Sequence, residues 1–219
     1  QGELAKWLVE HSCADRVFFC NSGAEANEGA IKLARKYAHT VLKIAEPIIL
    51  TANASFHGRT LATITATGQP KYQQNFTPLI PGFQYVPYND FAAIESTVQA
   101  LNGQVAAIML EPLQGEGGVN PGQIEYFQQV RKLCDDKGIL LILDEVQVGM
   151  GRSGKYWGYE QLGIEPDIFT SAKGLGGGIP IGATLCKESC NVFQPGDHAS
   201  TYGGNPFVCA VALAVCQTL

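Results

Sequence analysis

Short apolar runs alternate with amphipathic stretches along most of the chain. Short β-type runs predict strands at residues 16–20, 48–51, 105–110, 139–143, 168–171 and 183–186. The runs 105–110 and 139–143 are apolar without a break, which is typical of strands buried on both faces. Apolar positions with helical spacing predict helices over residues 24–37, 91–101 and 124–137, and Gly138 is typical of a residue that ends a helix. Strands that alternate with helices predict one α/β domain, with a mostly parallel sheet covered by helices on both faces.

Four polar residues each follow a predicted strand closely: Ser22, Glu111, Asp144 and Lys173. In a parallel sheet the carboxyl ends of the strands meet at one edge, and ligands bind in the crevice beyond that edge. We therefore expect these side chains to converge on one crevice although they are far apart in sequence.

The composition argues against nucleic-acid and membrane partners and indicates a reducing compartment. The 219 residues are 46% hydrophobic and 16% charged, with a net charge of −5 and no basic run, which argues against a nucleic-acid partner. The longest apolar stretch is too short to span a bilayer, so no membrane association is predicted. Seven cysteines without a CxxC pair, and no export signal, indicate a reducing compartment and hence the cytoplasm.

Both ends of the chain interrupt helix-like patterns. Residue 1 is Gln rather than Met, and the run 208–219 has no helix stop signal, so we expect an internal segment of a longer chain. No group of His, Cys and Asp has zinc-binding spacing, and no metal is predicted.

The segment Ser22-Gly23-Ala24 predicts a site for an anion. A strand passes through a glycine turn into a helix, whose first N–H groups are unpaired and carry the positive end of the helix dipole. The Ser22 hydroxyl would add a donor. The alternative interpretation is an ordinary helix N-cap.

Asp144 and Lys173 are the strongest candidates for chemistry. A carboxylate at the end of an apolar strand requires a cationic or hydrogen-bonding partner, although a structural salt bridge would satisfy it equally. Lys173 lies between small residues after an apolar run, so we expect it to lose solvation and to give up its proton readily, as a lysine that attacks a carbonyl must. The alternative is a surface lysine beside a flexible glycine loop.

Arg59 and two glutamates are candidates for substrate recognition. Arg59 follows Phe56 and His57, and arginine is the usual bidentate partner of carboxylates. Glu111 and Glu116 flank a glycine-containing loop, either as charge partners or as solubilising residues.

The order and spacing of six motifs, taken together, resemble the class III (ornithine-type) aminotransferases over essentially the whole chain. The motifs are Gly-Ala-Glu-Ala-Asn-Glu (23–28), Phe-His-Gly-Arg-Thr (56–60), Glu-Pro-Leu-Gln-Gly-Glu-Gly-Gly (111–118), Asp-Glu-Val-Gln (144–147), Ala-Lys-Gly-Leu-Gly-Gly-Gly (172–178) and Ser-Thr-Tyr-Gly-Gly-Asn-Pro (200–206). The resemblance implies the large domain of fold type I of the pyridoxal 5'-phosphate (PLP) enzymes over residues 1–219, without the family's N-terminal segment and C-terminal small domain.

The resemblance also implies a role for individual residues. Lys173 would bind PLP covalently and Asp144 would pair with its pyridine nitrogen. The other cofactor-binding residues would be Ser22, Gly23, Ala24, Phe56, Glu145, Val146 and Gln147. Arg59 would bind the substrate α-carboxylate, with Glu116 and Ser200 also near the substrate. Thr201 would reach the cofactor phosphate of a second subunit, which implies a homodimer with shared active sites.

Within the family, the stretches 150–154 and 173–178 are most similar to the subgroup that acts on N-acetylornithine. The resemblance therefore implies transfer of its amino group to 2-oxoglutarate, a step of arginine biosynthesis. Alternatives within the family are ornithine, succinylornithine or 4-aminobutyrate as amino donor, or an aminomutase, which releases no keto acid. An alternative of another class is a non-catalytic α/β module that binds phosphate.

Overall fold

A computed structural model describes all residues of the chain, 1–219. The strands are β1 (Arg16–Cys20), β2 (Ile48–Ala52), β3 (Phe83–Val86), β4 (Val105–Leu110), β5 (Leu113–Gln114), β6 (Asn120–Pro121), β7 (Leu140–Asp144), β8 (Ile168–Ser171) and β9 (Gly182–Cys186). The α-helices are α1 (Gly2–Glu10), α2 (Gly23–Tyr37), α3 (Leu61–Ala66), α4 (Pro70–Gln73), α5 (Phe91–Ala100), α6 (Ile124–Lys137), α7 (Gly158–Leu162) and α8 (Pro206–Thr218). No helix is both long and apolar enough to cross a membrane.

Seven strands form one sheet in the order β1-β9-β8-β7-β4-β2-β3. All neighbours pair in parallel except β9, which is antiparallel to both β8 and β1. Six strands therefore run in one direction, and β9 alone opposes them. The mostly parallel sheet predicted from the sequence is confirmed.

Helices cover both faces of this sheet. On one face, α1, α5, α6, α7 and α8 contribute to a core cluster of 34 buried residues. On the other, α2 and α3 contribute to a cluster of 14. Along β4 the side chains alternate between the two clusters, with Ile108 and Leu110 in the first and Ala107 and Met109 in the second. Because both faces of the strand are buried, its sequence is apolar without interruption.

The predicted elements are present, with small shifts at their ends. Strand β7 begins and ends one residue later than predicted, so Asp144 is its last residue and pairs with Thr170 of β8. The prediction missed the edge strand β3, the short helices α3, α4 and α7 and the β5–β6 hairpin. Strand β3 is only partly buried, and the other elements have two to six residues, so none has a long hydrophobic pattern.

Candidate active site

A cavity of about 550 Å³ opens beyond the carboxyl ends of β1, β4, β7 and β8. Its lining includes Ser22, Glu111, Asp144 and Lys173, so the predicted convergence of these four residues is confirmed. Further predicted site residues in the lining are Gly23, Ala24, Phe56, Arg59, Glu116, Val146 and Gln147. The parallel strand directions bring these segments together, because they place the loops that follow the strands at the same edge of the sheet.

The N-terminus of α2 forms one wall of the cavity. Ser22 is the N-cap residue, and its hydroxyl accepts a hydrogen bond from the backbone N–H of Glu25 at 3.2 Å. The N–H groups of Gly23 and Ala24 precede the first intrahelical bond and are free to bind an anion. A Cβ atom at Gly23 would lie 2.7 Å from Cγ1 of Val146, so only glycine leaves this close contact intact. The helix terminus is both capped and open to a ligand.

Asp144 lies at the floor of the cavity with only 4% of its surface exposed. Its Oδ2 atom accepts hydrogen bonds from Nδ2 of Asn27 and Nδ1 of His57, both at 2.8 Å, and its Oδ1 atom accepts one from the N–H of Val146 at 3.0 Å. Three donors on one buried carboxylate compensate for lost hydration and favour its negative charge.

His57 is the ionisable partner of this carboxylate. Burial lowers the pKa of His57, but the hydrogen bond and negative charge of Asp144, together with the charge of Glu111, outweigh burial and leave the pKa raised. The Nε2 atom of His57 is buried and has no hydrogen-bond partner. The pair therefore places a protonatable ring directly behind the carboxylate.

Glu111 is a second buried carboxylate that lines the cavity. Its Oε2 atom accepts a hydrogen bond from the N–H of Phe56 at 3.1 Å. Burial raises the pKa of Glu111 to about 7, and the negative charge of Asp144 contributes in the same direction. Glu111 can therefore change charge near neutral pH, as a charge partner within the site.

Lys173 follows β8 and begins a short 3₁₀-helix, Lys173–Gly176. Its φ of 38° lies in the left-handed region, which is unfavourable for a non-glycine residue and occurs preferentially at functional sites. The side chain donates a hydrogen bond to Oε1 of Gln147. Lys173 is exposed, so the prediction that it is shielded from solvent is wrong for this chain: its amine lines an open cavity rather than a closed one.

Arg59 and Glu116 are charged residues of the cavity lining, and both contact Tyr72, which lies outside the lining. The guanidinium of Arg59 lies 5.9 Å from the ring centre of Phe56 and 5.1 Å from that of Tyr72. Arg59 is exposed and has no carboxylate partner. Glu116 accepts hydrogen bonds from Gln69 and Tyr72. The free cation is therefore available to a ligand carboxylate.

Three predicted site residues lie outside the cavity lining. Glu145 requires a correction, because its side chain turns away from the cavity and accepts hydrogen bonds from the N–H groups of Gly158 and Tyr159, both at 2.8 Å. Ser200 lies one residue away from the cavity, where its Oγ atom accepts a hydrogen bond from the lining residue Asn21 at 3.2 Å. Thr201 is exposed, and its role in a second subunit remains a prediction.

The burial of Glu145 predicts a pH-dependent stability. Burial raises its pKa to about 7 despite the two N–H donors. The fold thus disfavours the charged form, so the contribution of Glu145 to stability is complete below the unfolded pKa of roughly 4.3 and is lost as pH rises toward the folded pKa. We expect the E145Q variant to lack this pH-dependent part of the free energy of unfolding. Its slope in the wild type is at most about 1.4 kcal/mol per pH unit.

Urea unfolding of wild type and E145Q between about pH 5 and 7 measures this difference. E125Q, at an exposed position of α6, is the matched control and should keep the wild-type slope. Equal slopes in wild type and E145Q would contradict the raised pKa.

Sequence reasoning assigned no role to Asn27, His57 or Tyr72. The sequence could have indicated Asn27, since it is a polar residue on the helix face that otherwise carries Ala26, Ala30 and Ile31, and it is buried. His57 was part of a recognised motif, but its partner is 87 positions away. Tyr72 lies in the four-residue helix α4 and had no signal in the hydrophobic pattern.

Comparison with known proteins identifies relatives along the whole chain. The sequence model of the family Aminotransferase class-III matches residues 1–219. The chain is 76% identical over 222 residues to an acetylornithine aminotransferase of Nostoc sp., covering 100% of this chain and 52% of that protein. It is 75% identical to an acetylornithine aminotransferase of Thermosynechococcus vestitus, covering 100% of this chain and 54% of that protein. The chain thus spans about half the length of these relatives.

Solved structures agree with the sheet topology. The ornithine aminotransferase of Toxoplasma gondii superposes with a TM-score of 0.95 at 37% identity, covering 100% of this chain and 52% of that one. That protein has partial occupancy of PLP at its active site. The N-acetylornithine aminotransferase of Stenotrophomonas maltophilia has a TM-score of 0.80 at 42% identity, covering 99% of this chain and 51% of that one.

Proposed function

The chain belongs to the class III aminotransferases, and we propose that it is the cofactor-binding core of an enzyme that transfers the amino group of N-acetylornithine to 2-oxoglutarate. The observation that carries this proposal is one cavity containing the amine of Lys173, the buried carboxylate of Asp144 and the free helix terminus at Gly23. The similarity to acetylornithine aminotransferases along the whole chain supports the amino donor. The resulting step belongs to arginine biosynthesis.

The residues of the cavity fit PLP as the cofactor. The N–H groups of Gly23 and Ala24 suit a phosphate, and the side chain of Val146 packs so closely on Gly23 that a Cβ atom has no room there. The carboxylate of Asp144 suits a protonated pyridine nitrogen, and the amine of Lys173 suits an aldehyde. Phe56 and Val146 supply apolar contact for a ring, and Gln147 supplies a polar group beside Lys173.

Different residues of the cavity have different roles in the reaction. PLP, when bound, withdraws electrons from the carbon that carries the substrate amino group. Asp144 holds a proton on the pyridine nitrogen, which strengthens this withdrawal, and Asn27 and His57 keep the carboxylate oriented. Lys173 is the base that moves a proton from the substrate carbon, a role that contributes roughly 10²- to 10⁴-fold.

Arg59 serves both substrates in turn. Its unpaired side chain belongs to the cavity lining, and both N-acetylornithine and 2-oxoglutarate present a carboxylate to it. The amino donor leaves as an aldehyde before 2-oxoglutarate enters the same cavity. Two half-reactions at one site predict ping-pong kinetics.

The proposal extends to the assembly. Residues 1–219 form the PLP-binding large domain, and the family's N-terminal segment and C-terminal small domain lie outside them. The enzyme is a cytoplasmic homodimer in which Thr201 reaches the cofactor phosphate of the second subunit and Ser200 lies near the substrate. The exposed side chains of Tyr202 and Phe207 beside these residues support a subunit contact there.

A substrate comparison tests the amino donor. We expect kcat/KM for N-acetylornithine to exceed the values for ornithine, succinylornithine and 4-aminobutyrate, with parallel lines in double-reciprocal plots against 2-oxoglutarate. Glutamate formation is followed in a coupled assay. Dominant activity on 4-aminobutyrate would reject the proposed donor, and product formation without consumption of 2-oxoglutarate would indicate an aminomutase.

A further inference from the structure

The segment 193–204 carries Ser200 and Thr201, and its backbone forms no hydrogen bond to the backbone of any helix or strand. Two backbone–backbone hydrogen bonds involve it, and each spans only three residues: Asp197 to Gln194 and Asn205 to Tyr202. A segment without backbone bonds to the rest of the fold depends on side-chain contacts for its position. The contacts that hold this segment therefore determine where Ser200 and Thr201 lie.

Two lysines of α2 and one residue before this helix supply polar contacts to the segment. Nζ of Lys32 donates a hydrogen bond to the carbonyl oxygen of Asp197 at 2.9 Å, and Lys36 forms an ion pair with the carboxylate of Asp197. Nδ2 of Asn21 donates to Oγ of Ser200 at 3.2 Å. The segment is thus attached to the helix whose N-terminus lines the candidate cofactor cavity.

His198 adds a contact that depends on its protonation state. Its Nδ1 atom lies 3.0 Å from Nζ of Lys32. An ammonium group has only donors, so Nδ1 is the acceptor and the ring is neutral in this arrangement. The same ring packs between Phe18 of β1 and Phe193, with ring centres 4.6 and 5.6 Å apart. His198 therefore joins the segment to α2 by a polar contact and to β1 by an aromatic one.

A proton on His198 would replace the hydrogen bond by repulsion between two cations. Protonated Nδ1 is a donor and cannot accept from Lys32, and like charges at this distance repel each other. Burial lowers the pKa of His198, and the charge of Lys32 acts in the same direction, so the ring gains a proton only below about pH 6.5. The other charged groups around His198 are the carboxylates of Glu25, Glu28 and Asp197.

We infer that neutral His198 is a positioning residue: through Lys32 it fixes the segment that carries Ser200 and Thr201, and a proton on its ring releases this segment. The roles of Ser200 near the substrate and of Thr201 at the cofactor phosphate of the second subunit rest on the proposed function. The attachment of the segment does not, because its contacts lie within one chain. His198 is absent from the cavity lining, so it acts through the segment.

Two variants of the full-length enzyme separate the acceptor of His198 from its ring. H198N supplies an amide oxygen that can accept from Lys32 but does not titrate, and H198F keeps an aromatic ring without an acceptor. Hydrogen exchange over residues 193–204, followed by mass spectrometry, measures how firmly the segment is held. At about pH 7.5 we expect exchange to be about fivefold faster in H198F, the factor for one ordinary hydrogen bond, and within about twofold of wild type in H198N.

The pH profile distinguishes this role from ring packing alone. At about pH 5.5 the wild type should lose the protection and exchange like H198F, whereas H198N should keep it. Comparing variants at the same pH removes the effect of pH on the intrinsic exchange rate. H39N, at an exposed histidine outside the segment, is the matched control and should show the wild-type profile. Equal profiles in wild type and H198N would overturn the inference, as would wild-type exchange in H198F at about pH 7.5.

Fluorescence titration of the same variants with PLP tests the connection to the cofactor. We expect the Kd for PLP to rise about fivefold in H198F at about pH 7.5, and the difference between wild type and H198N at lower pH to follow the exchange data. If the segment responds to His198 but the Kd does not, the proposed role of Thr201 fails and the inference stands. If the enzyme binds PLP and transaminates while the segment does not respond to His198, the inference alone fails.

Discussion

Replacing Lys173 by alanine is expected to abolish covalent attachment of PLP and to reduce turnover by at least roughly 10²- to 10⁴-fold, the contribution of a positioned base alone. Lys173 is the one lysine that lines the cavity, and Asp144 and the free N-terminus of α2 line the same cavity. Alanine removes both the nucleophile toward the aldehyde and the base for proton transfer, so neither function is replaced by another lining residue.

Reduction with borohydride in the presence of PLP, followed by proteolysis and mass spectrometry, measures the attachment directly. In the wild type the pyridoxyl label should be found on Lys173, and in K173A it should be lost from the cavity. K155A is the matched control, since Lys155 is an exposed lysine outside the lining and should retain full labelling at Lys173. A label distributed over surface lysines in the wild type would instead favour a binding module without catalytic function.

Replacing Asp144 by alanine or asparagine is expected to have the second largest effect. The carboxylate is buried and accepts hydrogen bonds from Asn27, His57 and the N–H of Val146, so its removal leaves donors without a charged partner. Loss of one member of a buried pair typically costs about 3–5 kcal/mol. We therefore expect PLP affinity and turnover to fall by at least about 10²-fold in both variants.

Asparagine separates charge from shape at this position. D144N keeps the volume of the side chain, but it cannot hold a proton on the pyridine nitrogen by its charge. The loss of the carboxylate also removes the main factor that raises the pKa of His57, so burial should leave this ring neutral. Fluorescence titration with PLP measures the loss of cofactor affinity, and steady-state kinetics measure the loss of turnover. Wild-type activity in D144N would contradict the role of the charge, and D136N on the surface of α6 should behave as wild type.

The local sequence determined the secondary structure wherever burial imposes a continuous pattern. Strand β4 and helix α6 have the predicted bounds, because both faces of β4 and one face of α6 are buried, and Gly138 ends the helix with a φ of 68°. The convergence of Ser22, Glu111, Asp144 and Lys173 was also predictable, since it follows from the common direction of the strands that precede them. The motifs added the identity of the family.

Only the tertiary structure decided how the side chains meet. Asn27 and His57 reach Asp144 across 117 and 87 positions, and Tyr72 reaches Glu116 across 44. The same packing turned Glu145 toward α7 and left Lys173 exposed. Local hydrophobic patterns record which face of an element is buried, but not which distant polar group it meets, because that contact depends on how strands and loops are ordered around the sheet.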